Sequence, residues 1–224
     1  MVRRRRTIHV IACLASLVVA DPSLAQQPKE PIGRFVVDVR GTSAGLPAAA
    51  GWTPSVPSST ELPSRGFGLD FGAHVYVMRF KSVAFGVGGT WDIARGQTSP
   101  PESTATNAVV IPKVKTRVIT VAPQVSLNFG HRLGWSYLSA GLGRTRVRSE
   151  AEAPTTGTLQ YLPRESDWTK TLHYGGGARW FVNDHLGVSF DLRWYKLSIV
   201  PPSGSDPGAP RASLLTAAVG IALK

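Results

Sequence analysis

Cysteine is almost missing from this chain: Cys13 stands alone among 224 residues. It falls in an N-terminal segment that carries the marks of a removable leader, so the remainder has neither a disulfide nor a thiolate metal ligand. Acidic residues are also scarce, 14 against 25 lysines and arginines, for a formal net charge of +11. No apolar run reaches the roughly 20 residues of a membrane-spanning helix. No stretch repeats its apolar residues with the 3.6-residue period of an amphipathic helix. These absences exclude a disulfide scaffold, a helical membrane protein and a helical bundle.

What is present begins with the leader itself. Arg3, Arg4, Arg5 and Arg6 form a positive start, Ile8 to Ala20 are mostly apolar, and Ser23-Leu24-Ala25 supplies small residues at a cleavage site. That order is the pattern of a secretory signal peptide over residues 1–25, with the mature chain beginning at Gln26. A lipoprotein box around Cys13 has too little apolar sequence before it. A twin-arginine signal lacks the apolar residues that follow its arginines. Loss of the four arginines and Asp21 lowers the net charge from +11 to +8. Export argues against nucleic acid as the partner of that charge and favours anionic lipid headgroups.

Residues 26–224 form one domain, which alternates between two textures. Eight segments read as strands, about 33–41, 65–80, 83–95, 114–130, 135–148, 169–182, 186–199 and 212–223. Between them the links run long, short, long, short, long, short, long. An up-and-down meander with tight turns at one end and long loops at the other has this asymmetry, and so do transmembrane barrels. Within the second segment Phe67, Leu69, Phe71, Ala73, Val75 and Val77 share one face. Gly66, Gly68, Asp70, Gly72, His74 and Tyr76 share the other. A soluble barrel turns its apolar face inward and a membrane barrel turns it outward. Glycines alternating with Asp, His and Arg suit a narrow polar lumen better than a solvent face. The expected fold is therefore all-β: an eight-stranded antiparallel up-and-down transmembrane barrel with short periplasmic turns and long extracellular loops.

The stretch TLHYGGGARWFV at 171–182, the turn Asn183-Asp184-His185, and LGVSFDLRW at 186–194 resemble the outer-membrane β-barrel family related to the barrel of outer membrane protein A. The resemblance implies eight strands, a filled interior and residence in the outer membrane of a Gram-negative-type bacterium. It also implies the barrel assembly machinery as a partner, although the chain closes on Lys224 where such barrels usually carry an aromatic residue.

The lumen is expected to hold Asp38, Arg40, Asp70, His74, Asp92, Gln124, His173, Arg179, Asp191 and Arg193. A buried charge is costly unless paired. Opposite signs in near balance thus favour an internal ion network over a pore lining. The turn geometry places Arg179 opposite Ser189 and diagonal to Asp191, which predicts an ion pair between Arg179 and Asp191. His74 with His173 as a metal pair is the weaker reading beside two interior histidines in the polar network, and no metal or cofactor is expected. His131 and His185 fall in the periplasmic turns, so no catalytic histidine is left at the outer leaflet. The proline-rich loops read as solvated surface.

A second candidate site lies outside. The lipid-face parity of Leu138, Ala140 and Leu142 continues to Arg144, Arg146 and Arg148. That of Ile119 and Val121 runs back to Arg117, Lys115 and Lys113. Arg117 should fall opposite Arg148, and Ile119 opposite Arg146. Six cations would then share an outward patch at the extracellular end, where lipopolysaccharide phosphates lie. The functional expectation is a structural or surface-interaction role without catalysis. A lipid A-modifying enzyme and a narrow porin-like channel are the alternatives.

Overall fold

The protein is described by a computed structural model covering residues 30–49, 51–56, 60–98, 111–152, 163–204 and 207–224. The expected leader and cleavage site lie outside the described residues. Eight long strands follow one another: β1 (Phe35–Gly45), β2 (Arg65–Phe80), β3 (Val83–Gln97), β4 (Lys113–His131), β5 (Gly134–Glu152), β7 (Thr169–Phe181), β8 (Leu186–Leu197) and β9 (Ala212–Leu223). A two-residue strand, β6 (Arg164–Glu165), pairs with the outer end of β5. Every long strand pairs antiparallel with its neighbours, and the β1–β9 ladder closes the ring.

Closure leaves no free strand edge, which is what a sheet needs in hydrocarbon. The expected strands are all present. β1 and β5 run four residues further outward than their periodicity suggested. In both cases the added residues keep the same alternation but are polar or small. Lys81 adopts a left-handed φ of 53° in the tight β2–β3 turn, a conformation such turns often demand. In the β7–β8 turn Asn183 Oδ1 accepts hydrogen bonds from the backbone N–H of His185 at 2.9 Å and of Leu186 at 2.8 Å. These turns and both ends of the barrel chain mark the periplasmic side.

The alternation is apolar-out and polar-in. Leu69, Val87, Leu138, Val188, Phe190 and Val219 are exposed on the outer surface, and Phe71 is partly covered by its stacked neighbour Trp91 at 5.3 Å. In β2 a bulge shifts the register between Tyr76 and Met78, so Val77 and Met78 both point outward near the periplasmic rim.

The lumen is solid and has three layers. At the periplasmic end Trp135 stacks on Phe181 at 4.9 Å and meets Tyr76 edge-on at 6.0 Å. At the extracellular end Trp52, Tyr195, Leu197 and Leu214 belong to a second apolar cluster. Trp52 comes from the first long loop, and its Nε1 donates to the Pro210 carbonyl of the last at 2.9 Å. Arg164 from the third donates to the Gly51 carbonyl at 2.7 Å and the Gly208 carbonyl at 3.3 Å. Three loops are thus knitted over the mouth.

Between the plugs sits the charged layer: Arg40, Arg179 and Arg193 with Asp38, Asp70, Asp92 and Asp191, all buried. Arg40 Nε donates to Asp70 at 2.6 Å and its Nη1 to the Tyr137 hydroxyl at 3.0 Å. Tyr137 in turn donates to Asp191 at 2.6 Å, and Arg193 donates to the same carboxylate oxygen at 2.8 Å. Glycines make this packing possible. A Cβ on Gly177 would lie 2.7 Å from the Tyr137 hydroxyl, and one on Gly72 would lie 3.0 Å from an Arg40 nitrogen.

The pair expected between Arg179 and Asp191 does not form. Arg179 does lie opposite Ser189, with Asp191 diagonal to it. Its guanidinium instead crosses to β1 and takes both oxygens of Asp38, at 2.9 and 2.7 Å. Asp191 is held by Arg193 and Tyr137. In so narrow a barrel an arginine reaches facing strands as easily as adjacent ones, and a bidentate partner is stronger than a diagonal one.

Candidate anion-binding surface

The outer surface becomes basic where the apolar belt ends. In β4 the inward residues Val114, Thr116 and Val118 are buried, so Lys113, Lys115 and Arg117 between them point outward. In β5 inward Thr145, Val147 and Ser149 alternate with outward Arg144, Arg146 and Arg148. The ladder sets Arg117 opposite Arg148, Ile119 opposite Arg146 and Val121 opposite Arg144. Adjacent strands lie about 4.8 Å apart, so the two facing arginines are forced close together.

The strand extension changes the charge balance. Because β5 continues to Glu152, Glu150 falls opposite Lys115 and Glu152 opposite Lys113. Lys115 forms an ion pair with Glu152. Arg148 Nε donates to Glu150 at 2.5 Å. β6 brings Glu165 to 3.0 Å from Arg146 and 4.0 Å from Arg148. Three of the six expected cations are therefore met by the chain's own carboxylates. Lys113, Arg117 and Arg144 have none within salt-bridge distance among the described residues.

Arg95 was not among the expected residues. It lies opposite Arg117 on β3, so Arg95, Arg117 and Arg148 stand abreast on three adjacent strands. Its parity with Trp91 and Ile93 was the available signal. Together with Arg65, Gln97 and Phe67 they border a hollow of about 750 Å³. Like charges directly opposite one another are destabilising; Glu150, which also borders the hollow, meets Arg148, while Arg95 and Arg117 have no carboxylate within salt-bridge distance among the described residues.

The interior offers no comparable site. His74 has no hydrogen-bond partner on either ring nitrogen. His173 approaches the Pro123 carbonyl at 3.5 Å and stacks on Tyr195 at 5.7 Å. No group of three or more metal-ligating side chains occurs among the described residues. Gln124 is buried, with both amide atoms unpartnered.

No family model matches the chain, and no curated protein sequence matches it. Solved structures do. Ail, the attachment invasion locus protein of Yersinia pestis, in complex with the heparin analogue sucrose octasulfate, aligns at a TM-score of 0.51 and 13% identity, over 86% of this chain and 98% of that one. Neisserial surface protein A aligns at 0.50 and 13% identity, over 85% and 96%. The outer membrane protein OprG from Pseudomonas aeruginosa gives 0.47 and 10%, over 88% and 97%. Identities this low carry the fold alone. That fold is the closed eight-stranded barrel of outer-membrane proteins, as the resemblance of residues 171–194 to the outer membrane protein A barrel implied.

Proposed function

We propose that the protein is a plugged, non-catalytic outer-membrane barrel that acts through its outer surface, by engaging the phosphates of lipopolysaccharide. The observation that carries this reading is the outward row Arg95, Arg117 and Arg148 at the extracellular end of the apolar belt. Arginine matches phosphate oxygens bidentately, and Arg95 and Arg117, facing each other without a carboxylate within salt-bridge distance among the described residues, are stabilised by anions beside them. Residence in the outer membrane of a Gram-negative-type bacterium follows from the apolar exterior together with the signal-peptide pattern. Insertion then makes the barrel assembly machinery a partner.

Apolar plugs at both ends of the lumen speak against a channel. The isolation of His74 and His173 from hydroxyl or carboxylate partners speaks against an inward catalytic site, since general-base catalysis needs such groups within hydrogen-bond reach. The test is thermal stability of the wild type and of a variant with Arg95 and Arg117 replaced by alanine, each in lipopolysaccharide-containing and in phospholipid bilayers. The wild type should gain more from lipopolysaccharide than the variant does. Equal gains would reject the basic row as a binding surface.

A further inference from the structure

A second outward basic cluster lies beyond the row, further round the barrel. The β4–β5 ladder is unpaired between Val121 opposite Arg144 and Gln124 opposite Gly141. Pro123 has no N–H to donate there. Gly143, on the lumen-facing parity, lets the two strands close up on their inner side, where a Cβ on it would lie 2.4 Å from that of buried Ala122. Beside this gap the outer face is hollowed into an open groove of about 1260 Å³ that runs across β4, β5, β7, β8 and the start of β9.

The groove has two chemistries. Leu142 and Leu172 face each other across β5 and β7, exposed, and belong to the lipid-facing belt. One step outward Arg144 lies directly opposite Lys170. Lys196 lies opposite Leu172, and Arg211 immediately precedes β9, whose first residue Ala212 pairs with Leu197. Trp168 lines the same side, an amphipathic ring of the kind enriched at the headgroup level. No carboxylate lines the groove, and none of these four cations has one within salt-bridge distance among the described residues.

This differs from the row above β4 and β5, where Glu150, Glu152 and Glu165 supply internal counter-charge. Four uncompensated cations over an apolar floor, at the outer edge of the hydrocarbon belt, complement a molecule that has several anionic groups at one end and acyl chains at the other. A phospholipid with a single phosphate meets only part of that charge. From this we infer that the groove is a discrete seat for one phosphorylated, multiply acylated glycolipid of the lipid A class. Its phosphates lie among Arg144, Lys170, Lys196 and Arg211, and an acyl chain lies along Leu142 and Leu172. The inference rests on the reading of the outward cations as facing lipopolysaccharide, and adds to the row, which meets surrounding lipopolysaccharide in the bilayer, a separate seat that keeps one molecule after release from the membrane.

Native mass spectrometry of the barrel released from detergent micelles tests it. The probes are bis-phosphorylated lipid A, phosphatidylglycerol and inorganic phosphate. The variants are K170Q/K196Q/R211Q, L172W to fill the floor, and R95Q/R117Q in the row above. Each variant is first checked for the folded, heat-modifiable form on a gel. Wild type should retain one bis-phosphorylated lipid A, at least about tenfold more tightly than phosphatidylglycerol, since each lost charge-assisted hydrogen bond is worth roughly a factor of ten. The triple variant and L172W should lose that preference, and R95Q/R117Q should keep it. Lipid A retained by the triple variant but lost by R95Q/R117Q overturns the groove and leaves the broader reading standing. No preference for lipid A in any protein overturns both. Phosphatidylglycerol or inorganic phosphate held as tightly as lipid A overturns the glycolipid assignment.

Discussion

Arg179 and Asp38, 141 positions apart in sequence, form a bidentate ion pair across the centre of the barrel, on β7 and β1. Neither side chain is more than 1% exposed. The guanidinium also lies 4.1 Å from the Tyr137 ring, so the pair is packed as well as charged. It ties together two walls of the lumen that no backbone ladder joins.

Breaking this pair from one side leaves a deeply buried charge without its carboxylate partner. D38N should therefore cost about 3–5 kcal/mol in equilibrium unfolding from bilayers. Replacing both residues with apolar ones of similar volume should recover much of that loss. Losses that simply add in the double variant would show that the two side chains are not coupled.

Asp92 is the opposite case. It lies directly across the β2–β3 ladder from Asp70, and it has no cation within salt-bridge distance among the described residues. Asp70 already holds Arg40 and accepts from Thr90 at 2.5 Å. D92N should leave stability unchanged or raise it, because it removes one of two facing like charges. D70N should lower it. Urea titrations of the two variants side by side decide the matter, and a larger loss for D92N would contradict the network as described.

Leu69 and Phe71 face lipid while Asp70 between them faces the lumen. An arginine at position 71 should cost about 2–4 kcal/mol near mid-membrane. It should also break the stacking of Phe71 on Trp91. Photo-crosslinkers at 69 and 71 should capture lipid and one at 70 should not. Equal capture from position 70 would mean the alternation is inverted.

Purified protein in a planar bilayer should show no stepwise conductance. The Trp135–Phe181 stack closes one end, the Trp52 cluster the other, and the ion network fills the middle. Removing the periplasmic plug with W135A and F181A should lower stability by several kcal/mol, about 3–5 for each large aromatic lost. It should not open a channel, because the charged layer remains. Ion steps in the wild type would defeat the plugged-barrel reading.

The strands and their faces were legible in the residues alone. A period of two is a local property: Phe67, Leu69 and Phe71 against Gly66, Gly68 and Asp70 declare the two sides of β2 without reference to any other strand. The register of Arg117 with Arg148 was also readable, because a tight turn fixes the pairing of everything beyond it along the same hairpin.

Other features were decided only when the ring closed. Arg179 had several carboxylates within the reach of its side chain, and the sequence favoured the one nearest along the hairpin. The lumen brought Asp38 into bidentate geometry instead, and the stronger hydrogen-bond geometry prevailed. Glu165 reached Arg146 through a loop whose path no periodicity announces, and the groove with Lys170, Lys196 and Arg211 draws on five strands at once. Local alternation thus determined which way the side chains point along the regular stretches of each strand, the bulge at Val77 and Met78 aside. Which of the inward charges pair, and which of the outward ones are left for a ligand, depended on distances across the barrel and between hairpins. Those distances exist only in the folded chain.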